Sequence, residues 1–112
     1  MASQRLEKIS ALFQRELSQI FQRESRTLAK GAMVSVTVVR VSPDLSTARV
    51  YVSIFGVPNK DEVLVNIRDN AKTIRYTLAQ IVKNQLRKTP ELHFYLDDSI
   101  DYAQNINELL KK

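Results

Sequence analysis

Few side chains in this sequence could do acid–base or metal chemistry. His93 is the only histidine, and the carboxylates nearest to it in sequence that form a group are Asp97, Asp98 and Asp101. A lone histidine with no nucleophile motif beside it fits a solvent-facing or structural role better than a general base. Adjacent aspartates at the end of a strand pattern suit helix capping better than paired catalysis. The chain has no cysteine, which removes disulfides, thiol nucleophiles and cysteine-based zinc sites. With two glycines, Gly31 and Gly56, it cannot build a glycine-rich phosphate loop. No P-loop, dinucleotide fingerprint, zinc motif or nucleophile elbow is present. The expectation is a protein that is not an enzyme and uses no cofactor, metal or small-molecule substrate. An unrecognised carboxylate pocket around Asp97, Asp98 and Asp101 is the competing enzyme reading.

What the sequence does concentrate is positive charge. Lysines and arginines outnumber acidic residues 17 to 12, for a net charge of +5. Such a balance suits an anionic partner, most often nucleic acid, if the cations share a face. On a helical wheel, Arg5, Lys8, Arg15, Arg23 and Arg26 fall within roughly 80°, beside an apolar stripe. Arg68, Lys72, Arg75 and Lys83 fall within roughly another 80°, and Arg87 and Lys88 follow. Like charges four residues apart repel, so an anionic partner would offset a cost that a merely solvated basic face leaves in place. These stripes make Arg5, Lys8, Arg15, Arg23, Arg68, Lys72, Arg75, Lys83, Arg87 and Lys88 the candidate nucleic-acid-binding residues. Phe55, Tyr76 and Tyr95 could stack on bases, although packing in the core or its rim is the simpler use of each.

The elements that must position these residues follow from periodicity. Ser3 to about Glu24 reads as an amphipathic helix, capped by Ser3, with Leu6, Ile9, Phe13, Leu17, Ile20 and Phe21 as its buried stripe. Leu28 to Gly31 is its exit. "MVSVTVVRV" alternates as a strand with Val34, Val36 and Val38 on one face. "SPDLS" carries turn chemistry, with Ser42 and Asp44 as structural side chains. "TARVYVSIF" is a second strand that buries Ala48, Val50, Val52 and Ile54, antiparallel to the first. From Lys60 to Leu86 there is neither glycine nor proline, and Leu64, Ile67, Ala71, Ile74, Leu78 and Ile81 recur at helical spacing. Thr89-Pro90 stops this region, and "ELHFYL" alternates as a third strand with His93 outward. Glu91 and Asp98 would serve as caps or as partners of Arg87 and Lys88. Asp97, Asp98 and Ser99 can cap a last helix with Ile100 or Tyr102, Ala103, Ile106 and Leu109 or Leu110 inward. The order is that of an α+β two-layer domain, a three-stranded sheet with helices packed on one face.

At 112 residues the chain is expected to form one domain, 1–112. No apolar run approaches the length of a membrane span, and "MASQRLEKIS" lacks the apolar stretch of a signal peptide. A cytoplasmic monomer with no membrane association is expected.

The order and spacing of several segments resemble the bacterial ribosome-binding factor A family along nearly the whole chain. "SPDLSTARVYVSIF", Ile74-Arg75, "LRKTPELHFYLDDS" and the closing "IDYAQNINELLKK" carry the resemblance. It implies a type II KH fold, binding to the small (30S) ribosomal subunit and its 16S rRNA during late assembly, and help with rRNA 5′-end maturation, above all in the cold. It implies no catalysis. The family typically replaces the KH Gly-x-x-Gly clamp by a helix–kink–helix marked Ala-x-Gly. The corresponding residues here are Ala71, Lys72 and Thr73, without the glycine, and the resemblance places the kink there. Asn70 or Thr73 could cap the restarted helix. The competing reading is a protein-interaction module that adds a partner strand to an exposed sheet edge, without RNA binding.

Overall fold

The computed structural model describes residues 4–97. The Ser3 cap and the last helix, with Asp98, Ser99 and Asp101, lie outside the described residues. The elements run α1 (Gln4–Arg23), α2 (Ser25–Leu28), β1 (Met33–Val41), β2 (Thr47–Phe55), α3 (Lys60–Asp69), α4 (Ala71–Val82) and β3 (Glu91–Leu96). The sheet order is β1-β2-β3, with β1 antiparallel and β3 parallel to β2. A parallel neighbour cannot follow a tight turn, so the chain crosses over through α3 and α4. The result is an α+β, type II KH-like arrangement with α1, α3 and α4 against one face of the sheet.

Spacing explains α1. Ile9, Phe13, Leu17, Ile20 and Phe21 are buried, while Leu6 is half-buried near its start. The chain leaves through the single turn α2, where Lys30 (φ 51°) and Gly31 (φ 85°) take left-handed conformations. Glycine adopts such an angle without the side-chain clash that Lys30 must bear. The Gly31 N–H returns 3.0 Å to the Ser25 carbonyl.

β2 buries Ala48, Val50, Val52 and Ile54 completely or nearly so. β1 departs from simple alternation. Its pairing with β2 shifts between Val36 and Val38, a bulge at Thr37, so Val34, Val36 and Val39 face the core and Val38 turns outward. The extra residue reverses the two-residue phase of the strand beyond it. Thr37 is used there: its hydroxyl donates to the Tyr51 carbonyl and pairs with the Asp97 carboxylate. Phe13, Phe21 and Phe94 are fully buried, and Phe21 meets Phe94 edge to face at 6.0 Å.

The long helical region is interrupted at Asn70, one residue before the expected kink, and Ala71, Lys72 and Thr73 form the first turn of α4. The Asn70 side chain does not cap α4. Its Nδ2 donates back 2.8 Å to the Asn66 carbonyl, so it closes α3 instead. α3 is opened by Asn59, whose Oδ1 accepts the Glu62 N–H at 3.1 Å. α4 stops at Val82 rather than Leu86, because the chain must turn back toward β3. The Leu86 N–H still reaches the Val82 carbonyl at 2.9 Å, which keeps Leu86 in phase and buried. Val82 is buried and Ile81 is 37% exposed, the reverse of the expected assignment at that turn.

The hairpin turn is held by Asp44. Its Oδ1 accepts from the Ser42 hydroxyl (2.8 Å), the Ser46 hydroxyl (2.7 Å) and the Ser46 N–H (3.1 Å). The Ser46 hydroxyl, then the Ser42 hydroxyl and the Ser46 N–H, lower the Asp44 pKa from 3.8 to about 2. A carboxylate stabilised in the fold contributes stability above its unfolded pKa and loses it as pH falls through the folded value. Asp44→Asn should therefore be less stable than the wild type near about pH 5, with the gap narrowing toward about pH 2. Denaturant titrations at the two pH values check this. Phe21→Ala should cost about 3–5 kcal/mol in the same assay, as large-to-small changes at buried aromatics do.

Candidate nucleic-acid interface

α4 buries Ile74, Leu78 and Val82, so its opposite side must face solvent. That side carries Lys72, Arg75, Tyr76, Gln80 and Lys83 along one wall of an open groove. Arg87 and Lys88 line the groove from the following loop, and Arg68 lines it from the end of α3. β3 forms the other wall, with Leu92 and Phe94 toward the interior and Glu91, His93 and Tyr95 at its lip. All six cations expected from the second stripe thus line one concavity.

The six do different things there. Arg68 Nε donates 2.9 Å to the Phe94 carbonyl, and its guanidinium carbon lies 5.8 Å from the Tyr95 ring centroid. Arg75 donates through Nε (3.0 Å) and Nη2 (2.8 Å) to the Thr89 carbonyl. Both arginines reach from the helices to backbone carbonyls on the β3 side of the groove. Among the described residues, Lys72, Lys83, Arg87 and Lys88 have no ion-pair or hydrogen-bond partner and present their charge to solvent. Glu91 lies 3.7 Å from His93 Nε2, a contact that is an ion pair only with a protonated imidazole, and it makes none with Arg87 or Lys88. His93 is exposed, as its outward place on the strand requires.

The first stripe joins only in part. Arg5 and Lys8 line a shallow hollow with Gln85 and Leu86, and Leu86 also borders the groove, so the two depressions meet at the loop after α4. Arg15 lies elsewhere on α1 and pairs with Glu16 at 3.3 Å; Arg23 and Arg26 border neither depression. A helix wheel places residues on a face but cannot say how far along the helix a neighbour ends. Tyr76 is 67% exposed on the groove wall, so it is not a packing residue. Phe55 is half-buried at the end of β2, away from the groove. Tyr95, an aromatic that could stack on bases by its sequence, lines the lip together with His93, which was legible only as an outward position of a strand. Among the described residues no cluster of acidic or histidine side chains is arranged to hold a metal ion, and no helix is long and apolar enough to cross a membrane.

The geometry can be set beside known proteins. The family model described as ribosome-binding factor A matches residues 5–110. The ribosome-binding factor A of Cytophaga hutchinsonii is 41% identical over 112 residues, which span all of this chain and 84% of the relative. The crystal structure of ribosome-binding factor A from Thermus thermophilus is similar with a TM-score of 0.69 at 24% identity, covering 81% of this chain and 94% of that one. A Thermus thermophilus homology model of the factor, fitted into a cryo-electron-microscopy map of its 30S complex, gives a TM-score of 0.52 at 23% identity, covering 73% and 96%.

Because Arg75 makes two hydrogen bonds to one carbonyl, its replacement is a structural change as well as a charge change. Arg75→Ala should destabilise by about 1 kcal/mol, the usual net worth of such a bond at a partly solvated site. Lys72→Ala should stay within about 0.5 kcal/mol of wild type. Thermal or denaturant melts of the two variants separate them.

Proposed function

The chain belongs to the ribosome-binding factor A family, and from that premise we propose that it binds the small ribosomal subunit by seating 16S rRNA in the groove between α4 and β3. The observation that carries this reading is the convergence of Arg68, Lys72, Arg75, Lys83, Arg87 and Lys88 on one concave surface. Four of them lack protein partners among the described residues, which suits phosphate contact. Arg5 and Lys8, in the adjoining hollow, would extend the contact toward α1. Arg15 and Arg23 would contact RNA only at its periphery. The Thermus factor fitted into a 30S complex supports the same partner.

In this reading the protein is a non-catalytic, cytoplasmic monomer with one KH-like domain over 1–112. It acts on immature subunits late in assembly and assists maturation of the rRNA 5′ end. Its importance in the cold has a physical basis, because misfolded RNA helices escape slowly when thermal energy falls. A protein that holds the correct arrangement then contributes most.

Strand addition to a sheet edge fits less well. On the β3 edge, Arg68 occupies the Phe94 carbonyl. On β1, the bulge breaks the ladder and Gln14 Nε2 donates to the Val36 and Thr37 carbonyls, both at 3.2 Å. Bulges and side-chain cover are how sheet edges avoid pairing with foreign strands.

Co-sedimentation with immature and mature small subunits tests the proposal. Neutralising about five phosphates gives a log–log salt slope near −4. Lys72→Glu, Lys83→Glu and Lys88→Glu should each reduce that slope by about one while leaving the melting temperature nearly unchanged. A salt-independent interaction, or no association with either subunit, contradicts it.

A further inference from the structure

The face of the sheet turned away from α1, α3 and α4 carries its own ordered surface. Residues 39, 48, 50, 92 and 94 point to the core, so Arg40, Arg49 and His93 share the opposite face. They are direct neighbours across the three strands, Arg40 opposite Arg49 and Arg49 opposite His93. Cβ atoms of such partners lie only about 4.5–5.5 Å apart, and like charges directly opposite destabilise a sheet. On the next rung of the same face stand Val38, Tyr51 and Tyr95, again in register. The two tyrosine rings are stacked at 5.5 Å with 30° between their planes, and Arg68 lies over Tyr95. Tyr95 and His93 also form the lip of the groove, so the two surfaces are continuous around the edge of β3.

We propose that this face is a second RNA-binding platform, on which a single strand leaving the groove crosses β3, packs a base against the Tyr51–Tyr95 pair and lays its phosphates along Arg40 and Arg49. The proposal rests on the groove reading for the path of the strand, but its residues are separate. Unpaired bases stack on aromatic side chains whatever their sequence, and neighbouring cations follow the backbone. A duplex buries its bases in its own stack and offers nothing to the tyrosines. The adjacent arginines supply the charge complementarity: their mutual repulsion is relieved by a phosphate, Glu91 is the one carboxylate within β3, and Asp97 just beyond the strand is taken up by the Thr37 hydroxyl. The stacked tyrosines are preassembled, so little side-chain ordering is required on binding.

The full chain is titrated with a single-stranded oligouridylate of about eight nucleotides, a length within the site size of a small stacking domain. The chain has no tryptophan, so its intrinsic fluorescence reports its tyrosines. Quenching by the single strand and none by a duplex of equal length is expected. By anisotropy of a labelled oligonucleotide, Tyr51→Leu and Tyr95→Leu should weaken binding about tenfold or more, whereas Tyr51→Phe and Tyr95→Phe keep the ring and the affinity. Arg40→Gln and Arg49→Gln should weaken binding and flatten its salt dependence. Wild-type affinity in the leucine and glutamine variants, equal binding of duplex, or no oligonucleotide binding overturns the platform. Subunit co-sedimentation of the wild type is measured alongside: if it is intact while the platform variants behave as wild type, only the platform fails. If it is absent while the oligonucleotide binds through Tyr51 and Arg49, only the groove reading fails.

Discussion

The groove depends on the break at Asn70, which divides the crossover between β2 and β3 into two helices, α3 and α4. Asn70 sits at φ −101° and ψ 11°, off the helical minimum, with its N–H divided between the Asn66 and Ile67 carbonyls at 3.2 and 3.1 Å. Its own carbonyl accepts the Ile74 N–H at 2.9 Å, so the helical ladder resumes at once. Asn70 itself keeps both its donor and its acceptor engaged at the break, and its φ is negative, so no glycine is needed there. Two short helices then bury separate sets, Val63, Leu64 and Ile67 before the break and Ile74, Leu78 and Val82 after it. Arg68 and Arg75 fall on either side of the bend, and each reaches a carbonyl on the β3 side.

The arginines and lysines divide the work along lines set by their chemistry. A guanidinium is planar and forked, so it can take a carbonyl with two N–H groups, as Arg75 does at Thr89, or lie over a ring, as Arg68 does at Tyr95. A lysine ammonium is a compact, strongly hydrated charge on a flexible stem, better suited to meet a phosphate than to brace a wall. Lys72, Lys83 and Lys88 are exposed where they can do that. The groove's shape and its charge therefore come largely from different side chains.

Much of this was legible in the residues. The α1 stripe, the alternation of β2 and the shared face of Lys72, Arg75 and Lys83 follow from period alone, whereas Arg87 and Lys88 reach the groove from a loop that only the packing places. The misreadings share a cause. Val38 and Val39 are chemically equivalent, so no composition signal distinguishes a regular strand from one with a bulge at Thr37; the choice is made by β2 pairing and by Thr37's own hydrogen bonds. Ile81 and Val82 pose the same ambiguity one helical step apart, and packing settles it in favour of Val82. The bracing roles of Arg68 and Arg75 were invisible because their partners, the carbonyls of Phe94 and Thr89, are backbone groups distant in sequence. Asn70 was legible as a cap, but not in which direction it would act.

The account rests on RNA lying in the groove between α4 and β3. The most direct test is ultraviolet crosslinking of the full chain bound to immature small subunits, followed by identification of the peptides that carry nucleotide adducts. The account predicts adducts on the segment from Lys72 through Tyr95, with Tyr76 among the modified residues. Adducts confined to the part of α1 around Arg15 and Arg23, with the α4–β3 segment unmodified on a complex that sediments normally, would contradict it.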